Sequence, residues 1–120
     1  MKKILTPRDA ARLIPDGATL MVGGFMGCGS AHKTLAEIRA KELTVICNDG
    51  AKAGGPDGSD YYGVAKLIHN KQVKKLIASH VGLNPEVAEQ QSAGTLELVL
   101  VPQGSLAEMI RAGGAGLGGV

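Results

Sequence analysis

A glycine-rich segment at residues 23–29 is the first place where this sequence could bind a ligand. It consists of Gly23, Gly24, Phe25, Met26, Gly27, Cys28 and Gly29. Because it joins an apolar run to a predicted helix, its free N–H groups would favour an anion or a carbonyl oxygen, and its glycines would allow close approach. A tight strand-to-helix turn without a ligand explains the same composition, so both interpretations stay open.

A dinucleotide-binding interpretation of this segment is not supported by the spacing. Asp49 lies 20 residues after Gly29, where an acid that binds a ribose would be expected. The fingerprint that begins at Gly27, however, requires a glycine or alanine at the position that His32 occupies. The lysine of a phosphate-binding P-loop is also missing.

Gln103 is the second candidate, because it leaves an apolar run at Val101-Pro102 just before a predicted helix. A neutral amide can donate a hydrogen bond to the oxygen of a thioester or anhydride during acyl transfer. On the residues alone, the simpler and favoured role is a hydrogen bond to a turn carbonyl. Asn48 and Asp49 occupy the matching place after an earlier strand, where a turn or cap would also explain them.

The cysteine and the histidines do not indicate a nucleophile or a metal site. Cys28 precedes a helix and His32 follows in its first turn, but the sequence offers no third group to orient them, so we favour structural roles. His32, His69 and His80 are dispersed without the spacing of metal ligands. We therefore expect no metal.

Helices and strands are predicted to alternate along the chain. Thr6, Ser30, Asn84 and Ser105 are the expected N-caps, and Leu35 and Ile38 share one helix face. We predict helices over residues 6–13, 30–38, 62–68, 84–94 and 105–112, strands over 19–22, 43–47, 73–79 and 96–101, and a long loop over 48–59.

This alternation predicts an α/β fold with a mostly parallel sheet and flanking helices. The strands are apolar enough for burial on both faces of the sheet. Ligands bind beyond the carboxyl ends of such strands, and the glycine-rich segment, Asn48 and Gln103 all follow a strand. The candidate residues should therefore meet at one edge.

Composition fits a single globular domain of 120 residues, with 44% hydrophobic and 20% charged residues and no apolar run that could span a membrane. A net charge of +2 and three aromatic residues argue against nucleic acid as a partner. Two cysteines without disulfide or metal spacing, after an N-terminus that does not form an export signal, suit the cytoplasm.

The segment from Asp16 to Ser30 resembles a signature of family I coenzyme A transferases. That pattern runs Asp-Gly, two variable residues, three apolar residues, Gly-Gly-Phe, three variable residues, glycine, one variable residue and proline. Only the final proline differs, since Ala31 stands there. Similarity to the alpha subunit of this family continues through residues 47–49, 74–85 and 101–116, whereas 52–62 depart from the usual loop.

The resemblance implies the CoA-transferase (NagB/RpiA-like) fold, with residues 1–120 as one alpha-subunit domain that is incomplete at its C-terminal end. It implies CoA and acyl-CoA as substrates, no permanently bound cofactor, and a hetero-oligomer with a beta subunit that carries the nucleophilic glutamate. No catalytic nucleophile is then expected in this chain. Residues 23–29 would bind CoA, Gln103 would support the reacting centre, and Asn48 would line the pocket.

Two alternatives to this function stay open at the level of sequence. One is a non-catalytic module that binds a phosphate or nucleotide with the same sheet. The other is a truncated relative of the alpha subunit with a purely structural role.

Overall fold

Helices and strands alternate through the residues that the computed structural model describes, which are 3–52, 54 and 60–119. The elements are α1 (Pro7–Ala11), β1 (Thr19–Val22), α2 (His32–Glu37), β2 (Leu43–Cys47), α3 (Val64–His69), β3 (Val73–Ala78), α4 (Pro85–Ser92), β4 (Glu97–Leu100) and α5 (Gln103–Gly114). Residues 53 and 55–59 of the predicted long loop lie outside the described residues.

The four strands form one sheet in the order β1-β2-β3-β4, and every neighbouring pair is parallel. The register aligns Leu20, Val45, Leu76 and Leu98 in one row across the sheet. Val45 and Leu76 are completely buried, and Leu20 and Leu98 pack against the same core. The predicted α/β fold with a parallel sheet is therefore confirmed.

The core lies between this face of the sheet and the helices that connect the strands. Its strand residues are joined by Leu35 from α2, Leu67 and Ile68 from α3, and Val87 from α4, all at most 4% exposed. Each of these helices is short, and α2 and α3 have six residues each. Isolated helices of that length are unstable in water, so burial of one face against the sheet must stabilise them.

The opposite face of the sheet is less well covered than the sequence predicts. The register places Met21, Ile46, Ile77 and Val99 in a second row, and Met21 is 60% exposed. Helix α5 reaches this row only in part, with Met109 and other apolar side chains around a cavity of 200 Å³. Burial on both faces, which the apolar strands indicated, is thus found on one face only.

Two of the four predicted helix caps are confirmed and two are wrong. The side chains of Thr6 and Asn84 accept the N–H groups of Asp9 and Glu86, as expected. The hydroxyl of Ser30 instead donates to the carbonyl of Gly23 at 3.0 Å, and α2 begins after Ala31.

The predicted capping box at Ser105 fails because α5 begins two residues earlier, at Gln103. Pro102 is the N-cap residue, with φ −51° and ψ 138°, and makes no side-chain cap. A proline has a fixed φ that suits a helix entrance, so the chain turns into the helix as soon as it leaves β4. No helix in the described part of the chain is long and apolar enough to cross a membrane.

Replacement of Asn84 should destabilise the protein strongly. Its side chain is 1% exposed, accepts the N–H of Glu86 at 3.2 Å and donates to the carbonyl of Gly50 at 2.9 Å. Asn84→Ala removes both bonds and leaves buried main-chain groups without partners, so we expect a loss of about 2–4 kcal/mol in the free energy of unfolding. Urea denaturation followed by circular dichroism measures this loss.

Asn70→Ala is the matched control, because the exposed Asn70 side chain donates one hydrogen bond, to Gln72. It should cost less than about 1 kcal/mol. Equal losses for the two variants would contradict the role assigned to Asn84.

The two cysteines should differ sharply in reactivity. Cys28 is exposed, whereas Cys47 is 5% exposed, and burial together with the nearby charge of Asp49 raises the pKa of the Cys47 thiol to about 12. A buried thiol with that pKa has almost no thiolate at pH 8. Iodoacetamide should therefore add one label to the native chain, at Cys28, and two in guanidinium chloride, as measured by mass spectrometry; rapid native labelling of Cys47 would refute this.

Candidate functional site

The carboxyl ends of the strands are joined by main-chain hydrogen bonds that continue past the strands themselves. Ser79 N–H donates to the carbonyl of Asn48 at 3.0 Å, and Gly50 N–H donates to the carbonyl of His80 at 3.1 Å. Asp49 and His80 form an isolated parallel bridge. The residues that follow β2 and β3 are thus held side by side.

Gln103 is the first residue of α5, and its exposed side chain lies at this same edge. Its amide nitrogen donates to Oδ1 of Asn48 at 3.4 Å, and its amide oxygen lies 2.5 Å from the hydroxyl of Ser79. The structure therefore brings together Gln103 and Asn48, as the sequence predicts, and adds Ser79 between them.

The Ser79 hydroxyl has two oxygen neighbours but only one proton. Besides Gln103 Oε1, it lies 2.7 Å from the carbonyl of Asn48. If the proton points to the carbonyl of Asn48, the side-chain amides of Gln103 and Asn48 must both turn by half a turn. The Gln103 nitrogen then donates to the hydroxyl oxygen, and the Asn48 nitrogen donates to Gln103 Oε1. In either arrangement one N–H of Gln103 lies outside this cluster and can donate to a ligand.

The glycine-rich segment forms a tight hairpin whose turn, residues 25–28, we call the loop crest. Phe25 and Cys28 exchange main-chain hydrogen bonds of 3.0 and 2.9 Å. Between them, Met26 has φ 51° and Gly27 has φ 85°. Positive φ at both central residues is typical of the two-residue turns that close β-hairpins, and a glycine at the second position fits it at no steric cost.

Two side chains outside the segment hold the loop crest. Asp49 Oδ2 accepts the N–H of Met26 at 2.7 Å, and His32 Nε2 lies 2.5 Å from the carbonyl of Gly27. The N–H groups of Phe25, Met26 and Cys28 are consequently used within the protein. These three N–H groups are therefore not free to bind a ligand. The exposed side chains of the segment are those of Phe25, Met26 and Cys28, and Phe25 and Met26 are 57% and 41% exposed.

His32 has a structural environment in this hairpin. Its ring meets Tyr62 edge-on at a centroid distance of 5.4 Å, and its Nε2 faces the Gly27 carbonyl. Cys28 is exposed. Across residues 3–52, 54 and 60–119, no group of three or more His, Cys, Asp or Glu side chains is arranged to hold a metal ion.

Sequence reasoning did not identify Ser79 and Asp49 as part of the candidate site. Ser79 had a signal, because it follows β3 at the position where Asn48 follows β2. For Asp49 the sequence suggests a ribose-binding acid or, together with Asn48, a turn or cap after β2. It is 6% exposed, and both of its carboxyl oxygens accept main-chain N–H groups, from Met26 and Ala51. It contacts the glycine-rich segment from inside the protein.

Comparison with known proteins identifies several similar chains. The acetate CoA-transferase subunit alpha of Escherichia coli is 46% identical over 120 residues, which cover 98% of this chain and 51% of that protein. A probable coenzyme A transferase subunit alpha of Bacillus subtilis is 52% identical over 99% of this chain and 50% of its own length. The acetoacetyl-CoA:acetate/butyrate CoA transferase alpha subunit of Clostridium acetobutylicum is 44% identical over 98% of this chain and 52% of its own.

The chain thus spans about half the length of the curated relatives it matches. A family profile described as Coenzyme A transferase matches residues 4–120, which include the glycine-rich segment, Asn48, Ser79 and Gln103. The match therefore includes all four strands of the described sheet and every residue of the candidate site. This chain belongs to the coenzyme A transferase family.

Proposed function

We propose that this chain supplies the alpha side of a CoA-transferase that moves coenzyme A between short-chain carboxylic or 3-oxo acids. Family membership supports this, as do relatives whose names specify an alpha subunit and acetate, acetoacetyl-CoA or butyrate. The partner would be a beta subunit, in a cytoplasmic hetero-oligomer. The choice of acids follows the names of the relatives.

The proposed chemistry is ping-pong transfer through a glutamate of the partner. Its carboxylate attacks the acyl-CoA carbonyl and expels the CoA thiolate, which leaves an acyl-glutamyl anhydride. The thiolate then attacks the glutamyl carbonyl, releases the first acid as its carboxylate and forms a glutamyl-CoA thioester. A second acid reverses these steps and departs with CoA.

The observation that carries this proposal is the cluster of Asn48, Ser79 and Gln103 at the carboxyl edge of the sheet. Negative charge develops on a carbonyl oxygen during each attack, and an amide N–H held in advance can stabilise it. Gln103 keeps one N–H outside the cluster, while Ser79 and Asn48 restrict how its amide turns. We assign Gln103 to the reacting centre and Asn48 to the pocket wall.

The glycine-rich segment would contact CoA through its surface rather than through a row of main-chain donors. Three of its N–H groups are already bonded, and its exposed side chains are those of Phe25, Met26 and Cys28. An apolar and polarisable surface of this kind suits the adenine ring or the pantetheine arm. The segment and Gln103 are linked through Asp49 and Asn48, so both would face one bound molecule.

Gln103→Ala tests the role of the amide in a complex of this chain with its beta-type partner. Loss of a donor to a developing oxyanion should lower kcat about 10²-fold with little change in KM, since the bond forms in the transition state. Transfer of CoA from acetyl-CoA to a second acid is measured at saturating substrate. Gln91→Ala is the matched control, because Gln91 is an exposed glutamine on α4.

Unchanged turnover in Gln103→Ala would remove Gln103 from the mechanism. A stable complex of the unaltered chain with its partner that transfers no CoA would refute the enzymatic function as a whole. Binding of nucleotide or phosphate by such an inactive complex would favour the non-catalytic module instead.

Ser79→Ala should act through Gln103. Without the hydroxyl, the amide loses the neighbour at 2.5 Å that restricts its rotation, so we expect kcat to fall about 3–10-fold. In a double-mutant cycle, Ser79→Ala should then have almost no further effect on kcat in the Gln103→Ala background. Independent, additive losses would show that Ser79 does not work through Gln103.

A further inference from the structure

The buried carboxyl group of Asp49 joins two main-chain segments that are distant in sequence. Its Oδ2 accepts the N–H of Met26 at 2.7 Å and its Oδ1 accepts the N–H of Ala51 at 3.1 Å. Each carboxyl oxygen therefore has its own main-chain partner. Removal of the side chain would leave both N–H groups without an acceptor.

The loop crest needs such an anchor because its conformation is unfavourable for Met26. A residue with a side chain rarely adopts φ 51°, and the cost must be offset by contacts around it. The bond from Met26 to Asp49 and the contact between Gly27 and His32 are those contacts. Asp49, two residues after β2, holds the crest on one side, and His32 of α2 holds it on the other.

Asp49 is not placed to bind a ligand itself. It is 6% exposed and its two oxygens are occupied, so it cannot receive a ribose hydroxyl without giving up a main-chain partner. The phosphate groups of CoA would also be repelled by a carboxylate in direct contact. The hydrogen bond from Met26 to Asp49 therefore stabilises the conformation of the loop crest.

We propose that Asp49 is a positioning residue that holds the loop crest in the shape that receives coenzyme A. This inference rests on the proposed function, in which the glycine-rich segment contacts CoA. Asp49 would present Phe25 and Met26 to the ligand before it arrives, so that binding does not have to order the turn.

Amide exchange in the 120-residue chain tests the structural step without any activity. In NMR exchange experiments, the Met26 amide should exchange at least about tenfold faster in Asp49→Ala than in the unaltered chain, because it loses its acceptor. Asp16→Ala is the matched control. Asp16 also accepts a main-chain N–H at 2.7 Å, from Lys41, but both residues precede their strands and so lie at the amino ends of β1 and β2. It should leave Met26 exchange unchanged.

Steady-state kinetics of the complex with the beta-type partner test the functional step. Asp49→Ala should raise KM for acyl-CoA about tenfold and change kcat less than about threefold, because the crest affects binding rather than the reacting bond. Asp16→Ala should leave both constants unchanged. If Asp49→Ala does not fold, Asp49→Asn keeps the side-chain volume and one acceptor, and smaller shifts in the same directions are expected.

Several results would overturn the proposal. Slow Met26 exchange in Asp49→Ala would show that the carboxyl group does not hold the crest, and fast exchange with an unchanged KM would show that the crest does not serve CoA. A lower KM in Asp49→Asn would mean that charge repulsion, not positioning, dominates. An inactive complex of the unaltered chain would refute the proposed function, while Met26 exchange would still decide whether Asp49 holds the loop.

Discussion

The four strands in the described part of the chain all run parallel, and most of the candidate site follows from that one constraint. Parallel strands end at the same edge of a sheet, so the residues that follow each strand are neighbours in space although they are distant in sequence. The ladder even continues beyond the strands, where Ser79 bonds to Asn48 and Asp49 pairs with His80. Main-chain hydrogen bonds therefore place these side chains next to one another, independently of the contacts between the side chains.

The parallel strands also give the sheet two apolar faces, which differ in how completely helices cover them. The row through Val45 and Leu76 is sealed by the connecting helices, whereas the row through Met21, Ile46 and Ile77 is only partly covered by α5. Parallel sheets are normally covered on both sides. The hydrophobic stabilisation of the described chain therefore comes mainly from one face of the sheet. The curated relatives are about twice as long and contain residues beyond those matched here.

The fold was predictable where it depends on local sequence. The apolar runs located β1 and β2 correctly. The caps at Thr6 and Asn84 were also correct, because each side chain accepts a main-chain N–H from a residue at most three positions later. Ser30 and Ser105 match the same local patterns, but their helices begin where the chain leaves a hairpin or a strand. Ser30 is drawn to a carbonyl seven residues earlier, a partner that helix propensity does not consider.

The proximity of the candidate residues was predictable, and their contacts were less so. Gln103 and Asn48 could be expected to lie close together, because each follows a strand and the ends of parallel strands lie side by side. The contact of Asp49 with Met26 could not be expected, because it depends on a turn with positive φ at a methionine, which no sequence pattern favours. An unfavourable turn persists only where a fixed partner stabilises it, so the residue that explains the shape of the glycine-rich segment lies outside that segment.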